Sequence, residues 1–94
     1  PDYFDAQYNM GAFIFNQGVE SINAASELDF RSDKEKIAKL EKAANEKFEA
    51  AVPVLEKAHE IMPNDQATMA SLSQLYVRLN QLDKFKAIKA KMAE

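Results

Sequence analysis

Apolar residues recur along most of this chain at the three- and four-residue spacing of helices, not at the alternation of strands. The first such segment runs from about Tyr3 to Leu28, interrupted only by Gly11 and Gly18, each costing ~1 kcal/mol against alanine. Within it 12-AFIF-15 is apolar on four successive positions, more than a full turn, so this end wants neighbours on several sides. Farther on, Val19, Ile22, Ala25 (or Ser26) and Leu28 narrow to one stripe facing one partner. A turn follows at about residues 29–32, where Ser32 and Glu35 match a capping box at the start of a second helix.

That second helix carries Ile37, Leu40, Ala44, Phe48, Ala51, Leu55, Ala58 and Met62 at steps that sum to sevens. This is the period of a helix lying along a partner at a shallow angle. Pro53 deletes one ladder bond and crowds the carbonyl of Glu49, but the stripe continues in phase through it, which predicts a kink and not a break. Pro63 ends the helix. Asn64 or Asp65 then caps a third helix of about 66–79, with Met69, Leu72, Leu75, Tyr76 and Leu79 inward. Asn80 suits a left-handed stop, and a fourth helix of about 82–93 turns Leu82, Phe85, Ile88 and Met92 inward. The expected fold is all-α, an antiparallel array of about four helices.

Composition agrees: among 94 residues there are two glycines and three prolines. The length allows one domain, 1–94, with a small core. It divides into an elongated hairpin, 1–63, and a second hairpin, 64–94. Disulfides and thiolate metal sites are excluded by the absence of cysteine. No apolar run approaches membrane-spanning length. The opening Pro1, in place of methionine, reads as a trimmed fragment of a longer repeat protein. The net charge of −3 hides an asymmetry: residues 1–30 hold five acids and no lysine or arginine, while residues 63–94 carry five bases against three acids. No face is broadly basic, which argues against nucleic acid as a partner.

Comparing the chain with itself exposes a repeat. A shift of 34 sets Ala51 on Phe85 and Ala58 on Met92; a shift of 62 sets Met10 on Leu72, Gly11 on Ser73, Ile14 on Tyr76 and Gly18 on Asn80. The difference of 28 is four heptads, so one hairpin matches the other with about fourteen extra residues in each arm, roughly 21 Å of helix. With Met69, Leu72, Ser73 and Tyr76 on one helix, and Ala51, Leu55, Ala58 and Pro63 on another, the chain resembles the tetratricopeptide repeat family. Met10, Gly11, Ile14 and Gly18 extend the match to the opening helix. Departures are Gln7 and Met69 at the bulky aromatic position, Phe85 at a small one and Lys89 at a large apolar one. The last helix therefore reads as a terminal cap. The pattern also resembles the C-terminal part of bacterial envelope-associated repeat proteins with one elongated hairpin, which implies a cell-envelope or periplasmic setting.

Candidate chemistry is sparse. Glu56 and His59 have the E-x-x-H spacing of di-iron bundles, but there is no second histidine, and the apolar stripe leaves Glu56 off-face. Carboxylates alternate with lysines as on a solvated face, and no phosphate loop or nucleophile–histidine set is present. No catalytic, cofactor or metal site is expected. The basic run 84-KFKAIKAK-91 reads as an ordinary helix with lysines outward, near its negative dipole end.

What the resemblance implies is a non-catalytic module that binds a protein or peptide along a concave face. Carried over position by position, that face comprises Asp5, Tyr8, Ala12, Phe15 and Asn16, then Ala70, Gln74, Val77 and Arg78. The family's clamp for chaperone tails uses lysine and asparagine where this chain has Tyr8 and Ala12, so such tails are not expected ligands. Ile14 takes the direction into its own hairpin, Phe15 the groove, and Phe13 the side of a preceding repeat. The alternative is an architectural cap or self-association element, with exposed apolar surface offering a route to a homodimer.

Overall fold

The structure is a computed structural model that describes residues 2–94, with side chains from Tyr3 onward; Pro1 and the side chain of Asp2 lie outside the described residues. Among the described residues the regular elements are four helices: α1 (Asp2–Ser26), α2 (Lys34–Ile61), α3 (Gln66–Arg78) and α4 (Leu82–Met92). Packing follows chain order, α1 on α2, α2 on α3 and α3 on α4. The first two helices are 25 and 28 residues long and the last two 13 and 11, so the first hairpin projects well past the second. The radius of gyration, 14.7 Å, accordingly exceeds the ~12 Å of an evenly packed domain of this length.

Two glycines set the α1–α2 contact. A Cβ at Gly11 would stand 2.5 Å from Leu55 Cγ, and one at Gly18 would stand 2.5 Å from Phe48 Cε1. Seven residues forward on α1 thus answer seven back on α2, the antiparallel heptad register of the apolar stripe. Helix propensity is given up at both sites so that Leu55 and Phe48 lie against α1 backbone. Phe48, Ala51 and Leu55 are buried, and so is Val52, which the stripe omitted. With Ala44, Met69, Leu72, Leu75, Tyr76 and Ile88 they form one core shared by α2, α3 and α4, against which Ile14, Phe15, Val19 and Ile22 of α1 pack.

Helix ends follow local chemistry, with one departure. Asp65 caps α3, its carboxylate accepting from the Thr68 N–H at 3.0 Å and from the Thr68 hydroxyl at 2.7 Å. At the other end Asn80 adopts φ 59°, Gln81 N–H reaches the Tyr76 carbonyl at 2.7 Å and Asn80 N–H the Val77 carbonyl at 3.1 Å. This pair of bonds is a Schellman stop, and asparagine tolerates the left-handed conformation it requires. The long helix α2 runs on through Pro53 and ends before Pro63.

The Ser32–Glu35 capping box does not form. Asp33 occupies the N-cap position and makes no side-chain cap bond. Instead Asp29 Oδ1 accepts from the Arg31 N–H at 2.8 Å and Asp33 Oδ2 from the Asp29 N–H at 3.2 Å, which moves the helix start past Ser32. Two expected core residues are exposed: Met62, because α2 stops one residue earlier, and Leu82, in the first turn of α4. Between the alternatives Ala25 and Ser26, Ala25 is buried and Ser26 exposed. Ile22, Leu28, Ile37 and Leu40, in the projecting arm, are only half-buried.

Candidate partner-binding groove

The α1 side of the expected groove is partly absorbed into the core. Tyr8 is half-buried, with its ring stacked on Phe4 at 6.0 Å between centroids. Phe15 is half-buried and tilts by 59° onto Phe48, with centroids 5.6 Å apart. Ala12 is half-buried, while Asp5 and Asn16 are exposed. Phe15 thus does not stand free in a groove; it closes the α1–α2 seam. Ile14 packs against the core and Phe13 is 64 % exposed.

The α3 side is more open. Gln74, Val77 and Arg78 are exposed, Val77 by 51 %, and Ala70 is half-buried, its carbonyl accepting from Ser73 Oγ at 2.8 Å. Gln74, Val77 and Arg78 line one concavity of about 340 Å³ together with Ser73 and Phe85. Asp5, Tyr8, Ala12, Phe15, Asn16 and Ala70 do not line it. The Arg78 guanidinium lies 5.0 Å from the Phe48 ring centroid, so Phe48 links Arg78 on one side to Phe15 on the other. Among the described residues no ion pair engages Arg78. A cation resting on an aromatic face keeps its hydrogen-bond donors free for an incoming acceptor.

Phe85, which walls this concavity, is not among the expected groove residues, although the sequence sets a ring there where the repeat pattern has a small alanine. Glu56 was also misplaced. It is half-buried, and its Oε2 accepts a 2.6 Å hydrogen bond from the Tyr76 hydroxyl. Lys84 Nζ lies 3.5 Å from the same oxygen and 5.8 Å from the Tyr76 ring. Burial, then the hydrogen bond and charge of Glu56, push the Tyr76 hydroxyl well above its ordinary pKa of 10.0. A buried tyrosine needs a partner for its hydroxyl, and Glu56 supplies it from α2. One carboxylate thus ties α2, α3 and α4 together. His59 shares this second concavity, with Nδ1 enclosed and without a hydrogen-bond partner. No group of three or more His, Cys, Asp or Glu that could hold a metal occurs among the described residues.

The helix-pair architecture and the α2–α3–α4 core have a counterpart in sequence: the family model described as "Tetratricopeptide repeat" matches residues 42–93. The chain belongs to the tetratricopeptide repeat family, whose members generally mediate protein–protein interaction and are typically non-catalytic. The match begins within α2 and leaves α1 outside it. No curated protein and no solved structure matches the chain. No helix among the described residues is long and apolar enough to cross a membrane.

Proposed function

We propose that the chain is a protein-interaction module that seats a peptide or partner segment on the face shared by α1 and α3, anchored in the concavity between α3 and α4. The observation that carries this reading is the convergence of Gln74, Val77 and Arg78 on one apolar hollow walled by Phe85. Such a site, apolar with a few oriented polar groups, suits one buried anchor side chain. The free Arg78 guanidinium suits a carboxylate or backbone carbonyl beside that anchor. Toward the N-terminal end of the same face Asp5 is exposed and residues 1–30 hold no base. The preferred segment is therefore polar along its length, with its acid at Arg78 and any base toward Asp5.

Selection of random displayed peptides on the immobilised chain tests this. The expected winners carry an apolar residue next to an acid, and Val77→Asp or Arg78→Ala reduces their affinity roughly tenfold or more without loss of helicity. Both side chains are exposed, so these variants probe the site more cleanly than Phe15→Glu, which would break the Phe15–Phe48 contact. The architectural reading predicts that no sequence family is enriched.

A further inference from the structure

We propose that the hollow between α2 and α4 is a second peptide site, which takes an extended acidic segment of the pattern acid–x–apolar–x–acid. It has a volume of about 320 Å³ and shares no lining residue with the concavity at Val77 and Arg78. Helix α2 gives it Glu56 and His59, α3 gives Tyr76, and α4 gives Lys84, Ala87, Ile88 and Lys91. Residues 84–91 hold four lysines, and helical spacing divides them into two pairs. Lys84 and Lys91, two turns apart, bracket Ala87 and Ile88 in the hollow, while Lys86 and Lys89 are exposed and do not line it. The face that α4 turns to the hollow therefore reads lysine, apolar pair, lysine.

Charge and spacing decide which occupant fits. Two lysines of the lining face one glutamate, and that glutamate is committed: its Oε2 accepts from the Tyr76 hydroxyl at 2.6 Å and stands 3.5 Å from Lys84 Nζ. An ammonium group has three donors, and Lys84 spends one on this long contact. The ion pair of Lys91 is with Glu94, 3.3 Å away and 71 % exposed, a weak surface pair that an incoming carboxylate can replace. Along the α4 axis the two lysines are about 10 Å apart. An extended segment sets residues i, i+2 and i+4 on one face over roughly 13 Å. Flexible lysine stems take up the difference. Acids at the two ends then meet Lys84 and Lys91, and the central apolar side chain lies over Ala87 and Ile88. On the opposite wall His59 Nδ1 is enclosed and has no hydrogen-bond partner. Turned about its Cβ–Cγ bond, the half-buried ring would bring that nitrogen to the segment's unpaired backbone groups. A flat anionic bilayer is the poorer occupant of such a recess, since it would meet the outward lysines, Lys86 and Lys89.

Fluorescence anisotropy with the labelled, capped peptide Gly-Glu-Ser-Leu-Ser-Glu-Gly tests this against two charge-matched double variants. Lys84→Gln with Lys91→Gln should weaken binding roughly tenfold or more, and Lys86→Gln with Lys89→Gln should leave it within about twofold. Ala87→Asp, at an exposed position in the hollow, should weaken it as well without removing an ion pair. Arg78→Ala should have no effect, which separates this site from the concavity between α3 and α4. Replacing the peptide's leucine by serine, or both its glutamates by glutamine, should abolish binding. Circular dichroism checks that each variant keeps its helicity. Equal losses in the two lysine pairs would overturn the proposal, because diffuse attraction to a basic helix has no preferred face. So would no binding at millimolar peptide, or lysine-dependent binding to phosphatidylserine vesicles in its place, which marks a membrane contact.

Discussion

The α1–α2 hairpin has two halves that meet at Phe48. Toward the α2–α3 turn, α2 is enclosed from two sides, and Phe48, Ala51, Leu55 and Ala58 are at most 1 % exposed. Beyond Phe48, toward the Asp29–Asp33 turn, α1 and α2 have only each other. There the same heptad stripe is still buried at Ala44 and falls to half-buried only at Leu40 and Ile37. One periodicity therefore produces a rigid base in one place and a loosely covered arm in another. What differs is the number of neighbouring helices. The base positions Arg78, Val77 and Phe85; the arm extends the molecule to 46 Å and ends in Phe30, 70 % exposed.

The comparison breaks most directly through paired truncations. Phe48→Ala should lower the unfolding free energy by about 3–5 kcal/mol, since it opens a cavity in the base and removes the platform of Arg78. Leu40→Ala should cost about 1–2 kcal/mol, because much of its side chain already meets water. Urea denaturation of both variants checks this, and equal losses would mean that the arm is as enclosed as the base. At the border, Gly18→Leu should destabilise by roughly 1–3 kcal/mol despite leucine's better helix propensity, because a Cβ there meets Phe48 at 2.5 Å.

How much of this was legible in the sequence divides along the same line. The helices, their order, the elongated hairpin and the Asn80 stop all followed from spacing, because a stripe that repeats every seven residues has few other uses. Depth of burial did not follow. The spacing of Leu40 is as regular as that of Leu55, and only the third helix distinguishes them. The Ser32 capping box failed for a local reason: Asp29 and Asp33 fold the preceding turn through the Arg31 and Asp29 N–H groups and put Asp33, not Ser32, at the N-cap. At the site, the repeat match set Gln74, Val77 and Arg78 on one face, and in the structure these three line one hollow. Phe15 was not, since a ring next to the seam takes the cover of Phe48. Glu56 looked like part of a solvated face because its partner, Tyr76, lies twenty residues away in sequence.

Smaller effects sharpen the contrast. Tyr76→Phe should cost about 1–2 kcal/mol at neutral pH by removing the bond to Glu56. Its pH dependence has a definite sign. The folded chain keeps the Tyr76 proton at pH values where the unfolded chain, near the ordinary pKa of 10.0, gives it up. The stability tied to that proton is complete below pH 10 and is lost as pH rises beyond it; thermal melts of Tyr76→Phe should lack that part of the alkaline fall. Capping separates the two ends last. Asp65→Ala should cost about 1 kcal/mol in the base. Ser32→Ala at the arm tip should change stability by less than about 0.5 kcal/mol; a loss like that of Asp65→Ala would mean that the serine caps α2 in solution after all.

The central claim is that the base, and not the arm, presents the partner-binding face. Amide chemical-shift mapping tests it most directly: a display-selected peptide is titrated into the isotopically labelled chain. Shifts should concentrate at Gln74, Val77, Arg78 and Phe85 and extend through Phe48 to Phe15, with residues 22–40 unmoved. Shifts confined to the arm, or to the Met10–Phe13 face of α1, would contradict it.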